Sequence, residues 1–117
     1  MRNWYSPTLR YTGCVNAPLN DYYDCIEDAL SLLGRQGSYR VLRALLEGPK
    51  RFGELLVETQ LLPRTLSLRL KEMDAAGWVE RQQFAEVPPR VEYRMTESAK
   101  ALKPLLSAVE DWGRRCG

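Results

Sequence analysis

A mainly α fold of the α+β type is predicted, and three observations within residues 63–96 carry the prediction. That stretch reads PRTLSLRLKEMDAAGWVERQQFAEVPPRVEYRMT. First, Leu66, Leu70 and Met73 recur at helical spacing, so the segment opened by Pro63 buries one face. Second, the period then changes to two: Trp78–Phe84 reads as a strand, and Val91, Tyr93 and Met95 alternate with Glu92 and Arg94 in another. Third, Pro88-Pro89 between the strands cannot continue a ladder, which makes the pair a hairpin with Arg90 near its tip. A short helix followed by a two-stranded basic hairpin is the layout of a winged helix–turn–helix.

The remaining elements follow in chain order. Residues 1–20 carry Pro7, Gly13 and Pro18 as breakers and are expected to form an irregular N-terminal arm; residues 21–117 form the winged domain with its dimerisation helices. Trp4, Tyr5 and Tyr11, with Tyr22 and Tyr23 just beyond, argue that the arm packs on its own subunit or a partner's. Asp21 or Asp24 can cap a first helix ending near Leu33, its apolar face formed by Ile26, Ala29, Leu30 and Leu33. Gly34–Ser38 interrupts it. A second helix turns Tyr39, Leu42, Leu45 and Leu46 inward and stops at Gly48-Pro49. Lys50-Arg51-Phe52 leads into a short third helix with Leu55 and Leu56. Pro63 suits the first turn of the fourth, where its missing N–H is not needed, and Gly77 suits its end. After the hairpin, Thr96 is a good N-cap with Glu97 in the first turn. Leu102, Leu105, Leu106, Val109 and Trp112 make a stripe along a long final helix, and Pro104 within it predicts a kink or a break. In so small a domain, that stripe with Ile26 and Leu30 of the first helix is the expected homodimer interface.

Composition narrows the function. The 117 residues suit one domain. No apolar run approaches the length of a membrane span and no N-terminal apolar core suggests a signal peptide, so a cytoplasmic protein without membrane contact is expected. There is no histidine, and Cys14, Cys25 and Cys116 are too far apart for a zinc motif; neither a metal nor a cofactor is expected. No paired carboxylates, phosphate-binding glycine loop or Cys-His arrangement is visible, so an enzyme is not expected. Net charge is only +2, yet Pro63–Lys71 holds Arg64, Arg69 and Lys71 and no acid. Local placement matters more here than the sum.

The segments DCIEDALSLLG, LLEGPKRFGEL, LRLKEMDAAGWVERQQFAEVPPRVEYRMTESAKAL and EDWG resemble, in this order, the HxlR-type branch of the winged-helix regulators, relatives of MarR. The resemblance spans about Asp24 to Gly113 and is most specific from Gly77 to Glu97. It implies a dimeric transcription regulator that binds a double-stranded DNA operator sequence-specifically. In several members a cysteine near the start of the first helix reacts with a small electrophile or an oxidant. Two departures stand out. The family usually carries Cys-Pro before the Ile-Glu of that helix, where this chain has Asp24-Cys25, which weakens the carry-over of thiol sensing. Where the family favours Gly-Gly-Lys-Trp, this chain has Gly34-Arg35-Gln36-Gly37, which leaves the junction of the first two helices looser.

The residues expected at DNA are Arg64, Thr65, Ser67, Leu68, Arg69 and Lys71 on the recognition helix and Arg90 on the wing. Arg64 and Lys71 sit opposite the apolar face. Arg69, at the border of the stripe, either pairs with an acidic neighbour or binds phosphate. Leu68 suits contact with a thymine methyl or is a stray exposed leucine. Arg90 either solubilises the hairpin tip or reaches the minor groove. The redox candidates are Cys25, Cys14 and Cys116; the carboxylates of Asp21, Asp24, Glu27 and Asp28 offset the helix dipole's help to a Cys25 thiolate. The alternative function is a winged-helix protein-interaction module that no longer binds DNA, and the near-neutral charge is its best argument.

Overall fold

The computed structural model describes residues 19–116 and, within them, side chains from Tyr23 onward. Their order is α1 (Leu19–Leu33), α2 (Ser38–Leu45), α3 (Phe52–Thr59), α4 (Pro63–Ala75), β1 (Val79–Phe84), β2 (Arg90–Met95), α5 (Glu97–Lys100) and α6 (Lys103–Cys116). This is the winged helix–turn–helix with a two-stranded wing and a long C-terminal helix. The N-terminal arm expected for residues 1–20 falls almost wholly outside the described residues.

One apolar cluster holds these elements together. Leu32 from α1, Val41, Leu42 and Leu45 from α2, Leu55 from α3, and Leu66, Leu70 and Met73 from α4 meet Trp78, Val79 and Met95 at the root of the hairpin. The helical spacing read from the sequence is therefore the buried face of α4. Tyr39 is a correction: it was expected inward, but it lies on the exposed side of α2, where its hydroxyl donates to Glu110 of α6. Val41 and Ala44 take the inward positions instead.

The ends of α4 explain its length. Pro63 occupies the first turn. At the other end Gly77 adopts φ 80°. Its N–H reaches the Asp74 carbonyl at 3.1 Å and the next N–H, of Trp78, reaches the Met73 carbonyl at 2.8 Å. A left-handed residue in this cap is why glycine suits position 77. Thr96 then ties the two ends of the wing to the body. Its hydroxyl donates to the Gly77 carbonyl at 2.7 Å and accepts from the Ala99 N–H at 3.3 Å.

The hairpin is antiparallel with Val79 opposite Met95, Arg81 opposite Tyr93 and Phe84 opposite Arg90. The sequence reading missed one pairing. Lys50, taken for a connector, exchanges both backbone hydrogen bonds with Tyr93, at 2.9 and 2.8 Å, and so adds a one-residue third edge to the sheet. A single bridge has no period to detect. At Pro104 the stripe does break: α5 ends at Lys100 and α6 restarts at Lys103, so the proline falls in a first helical turn where its lost N–H is harmless.

Candidate DNA-binding interface

Helices α3 and α4 are joined by Gln60-Leu61-Leu62. Gln60 takes the left-handed conformation with φ 59° and Leu61 is buried, so three residues suffice to turn the chain. The turn is fastened from behind. The Thr59 hydroxyl donates to the Leu55 carbonyl at 2.6 Å, and Arg40 of α2 donates to the Thr59 carbonyl at 3.1 Å. Gly37, which opens α2 with φ 85°, lies so close to this turn that a Cβ there would stand 2.6 Å from the Leu61 side chain.

With Leu66, Leu70 and Met73 buried, α4 turns Arg64, Leu68 and Lys71 outward, flanked by half-buried Thr65 and Ser67. Arg64 and Lys71 form no ion pair among the described residues. Both are therefore charged donors held on one helix face with no acid among the described residues to neutralise them. Arg69 is a correction to the set expected at DNA. Its side chain is 12% exposed, it is ion-paired with Glu72, and its Nε donates to the Gln36 carbonyl at 2.8 Å. Glu72 is in turn paired with Arg35. Of the two alternatives open for Arg69, the internal pair is the one formed.

The wing divides its cations in the same way. Arg90 folds back on its own hairpin. Its guanidinium lies 4.1 Å from the centre of the Phe84 ring, with Glu86 at 3.4 Å and Glu92 at 3.7 Å, while its buried Nε donates no hydrogen bond to a described residue. Arg94 is paired with Glu80 at 2.9 Å. Arg81 is exposed and makes no ion pair among the described residues. It was missed because Glu80 and Glu92 flank it in sequence and across the hairpin; only the register shows that it pairs with Tyr93 instead.

The expected dimer residues separate into two groups. Leu102 and Leu106, four apart, are buried in the domain's own core and are withdrawn from the interface. Leu105, Val109 and Trp112 lie on the outer face of α6 and are 40%, 53% and 63% exposed. On α1, Ile26 and Leu30 are likewise exposed, continuing a line from Tyr23. Of the cysteines, Cys25 is half-buried and disulfide-bonded, Cys116 is an exposed free thiol at the end of α6, and Cys14 lies outside the described residues. Among the described residues there is no acidic or cysteine cluster that would hold a metal ion, and no helix is long and apolar enough to cross a membrane.

The sequence model for the HxlR-like helix-turn-helix matches residues 32–117. The chain belongs to that family. An HTH-type transcriptional regulator of Methanothermobacter thermautotrophicus is 36% identical over 110 residues, covering 92% of this chain and 84% of that protein. Among solved structures, a transcriptional regulator of the MarR family from Enterococcus faecalis V583 superposes with a TM-score of 0.72 at 38% identity, covering 86% of this chain and 92% of its own. The redox regulator HypR in its oxidised form gives 0.72 at 32% identity, over 77% of this chain and 94% of that one. This HxlR-type chain is thus a helix–turn–helix protein of a transcription-regulator family and shares the fold of these relatives over the matched region.

Proposed function

We propose that this HxlR-type protein is a dimeric, sequence-specific DNA-binding transcription regulator, with α4 in the major groove and the hairpin against the minor groove or the phosphates. The observation that carries this reading is the outward face of α4. Arg64 and Lys71 stand there in no ion pair with any described residue, Thr65 and Ser67 can donate beside them, and the one inward acid, Glu72, is neutralised within the fold. A duplex supplies both the phosphates and the base edges that such a face lacks. Arg81 takes the place of Arg90 as the wing's available cation. The dimer is supported by the apolar lines on α1 and α6, which face solvent in a single chain. Two-fold pairing would set two recognition helices for two half-sites.

Thiol modulation belongs to the same reading. Cys25 lies in α1 beside the proposed dimer surface, and a relative is named a redox regulator. Reduction of the Cys25 disulfide by an external thiol, and capping of the released Cys25 thiol by an electrophile, would change the seat of α1 and with it the spacing of the recognition helices. Because Cys25 is already in a disulfide, a bridge between subunits through Cys116 needs thiol–disulfide exchange first.

One observation favours the alternative, a protein-interaction module: Val57, Leu62 and Leu68 expose apolar surface on the helix–turn–helix itself. Selection of genomic duplex fragments by the full chain, followed by affinity measurement across salt, decides between them. The expected result is an enriched site whose binding weakens steeply with salt. Affinity for a protein partner with no enriched duplex would favour the alternative. Repeating the measurement in oxidised and reduced protein, with Cys25→Ser beside wild type, tests the thiol input.

A further inference from the structure

Glu72 is a buried charge that the outer face of α4 does not use. Its side chain is 8% exposed and lies against the turn between α1 and α2. Two guanidiniums grip it, Arg69 from one turn earlier on α4 and Arg35 from that turn. Arg69 also donates to the Gln36 carbonyl at 2.8 Å, so a closed set of polar contacts joins α4 to residues 34–37.

The rest of this seam is apolar, with the Leu61 side chain packed over Gly37. Apolar burial is non-directional: it decides which face of a helix turns inward and sets the rotation only coarsely. Charge-assisted hydrogen bonds from planar guanidiniums are directional. A rotation of about 10° moves atoms at a helix's outer radius of about 5–6 Å by about 1 Å. A shift of that size takes a base-edge hydrogen bond out of its distance range.

We propose that Glu72 is a positioning residue for DNA reading. By pairing with Arg35 and Arg69 it sets the rotation of α4, and it withholds Arg69 from the phosphates. This rests on the DNA-binding reading above. The looser junction expected from Gly34-Arg35-Gln36-Gly37 is in this account a charged pin in place of an aromatic one.

The test uses the full chain as wild type, Glu72→Gln and Arg35→Met. Each is titrated with a genomic duplex enriched by wild type and with a scrambled duplex of equal length, across salt, after thermal melts. In Glu72→Gln the ratio of the two affinities is expected to fall about tenfold, the discrimination carried by about one base pair. Affinity for the scrambled duplex should hold or rise, and its salt slope should steepen by about one unit as Arg69 is released. Arg35→Met should lose selectivity without the change of slope, since Arg69 keeps Glu72. A folded Glu72→Gln protein with unchanged ratio and slope would overturn the proposal, as would an equal loss of both affinities, which is what simple destabilisation produces. Should Glu72→Gln fail to fold, unchanged selectivity in Arg35→Met overturns it. A wild type that prefers no duplex would sink the DNA reading itself, before any variant is made, and the positioning role with it.

Discussion

Helices α4 and α6 are built alike and turn different chemistry outward. Each seats one apolar line in the same core, Leu66, Leu70 and Met73 in one case, Leu106 with the preceding Leu102 in the other. Their outward faces have opposite chemistry. On α4 it is cationic and hydroxylic around Leu68, with Arg64 and Lys71 in no ion pair among the described residues; on α6 its apolar part is Leu105, Val109 and Trp112. The inward faces decide the fold and say nothing about partners. The outward faces suit a polyanion in one case and another apolar surface in the other.

Exchanging the chemistry of one outward face should therefore leave the other's partner in place. The largest effect is expected on α6. Leu105→Glu with Val109→Glu places charges without partners in the proposed seam, which costs several kcal/mol. Light scattering should then report a monomer, against a dimeric wild type at micromolar concentration. A monomeric wild type would remove the contrast altogether. Next comes α4, where Arg64→Ala and Lys71→Ala should each weaken binding to the enriched duplex by about 1–3 kcal/mol if they reach base edges. Fluorescence anisotropy measures this, and the dimer mass should not change. The wing sharpens the comparison further. Arg81→Ala should flatten the salt slope by about one unit. Arg90→Ala, already held by Phe84, Glu86 and Glu92, should change affinity by less than about 0.5 kcal/mol. Equal effects of the two would reverse the assignment of the wing's free cation.

The smallest effect concerns alkaline pH. The hydrogen bond from Lys50 to Glu47, then that to Glu58, raises the Lys50 pKa above 10.5. The hydrogen bond to Glu110 raises that of Tyr39 above 10.0. Both folded-state values lie above the ordinary ones. Their contribution to stability is complete below about pH 10 and is lost as pH rises through the raised values. Urea midpoints should accordingly hold up to about pH 10 and fall above it, and fall less in Tyr39→Phe.

Periodic burial made the fold legible. Leu66, Leu70 and Met73, the strand from Val91 to Met95, Gly77 as a stop and Pro104 as a break were all readable from local rules, although Glu92 is as half-buried as Val91 and Tyr93, so burial does not alternate along that strand. What escaped was pairing across distance. Arg69 and Arg35 meet through a carboxylate, Glu72, that lies 37 residues from Arg35. Lys50 meets Tyr93 by a single bridge, and Arg90 folds back on Phe84. Charge in a sequence counts cations; only the fold says which of them are already neutralised. The same holds for the C-terminal stripe, whose five residues divide between core and solvent according to the angle at which α6 restarts.

Gly37 and Leu61 have a consequence for how such a chain can change. The family's usual tryptophan falls at position 37, where this chain has a glycine with φ 85° and a leucine side chain 2.6 Å from where a Cβ would stand. A return to tryptophan alone would meet both the backbone conformation and Leu61. The Leu61 methyls can swing aside, since they are the far end of a flexible side chain, but the left-handed backbone at position 37 cannot be relieved that way. The two positions are thus coupled unequally: a side chain at 37 asks Leu61 only for another rotamer, and asks the turn for another backbone path.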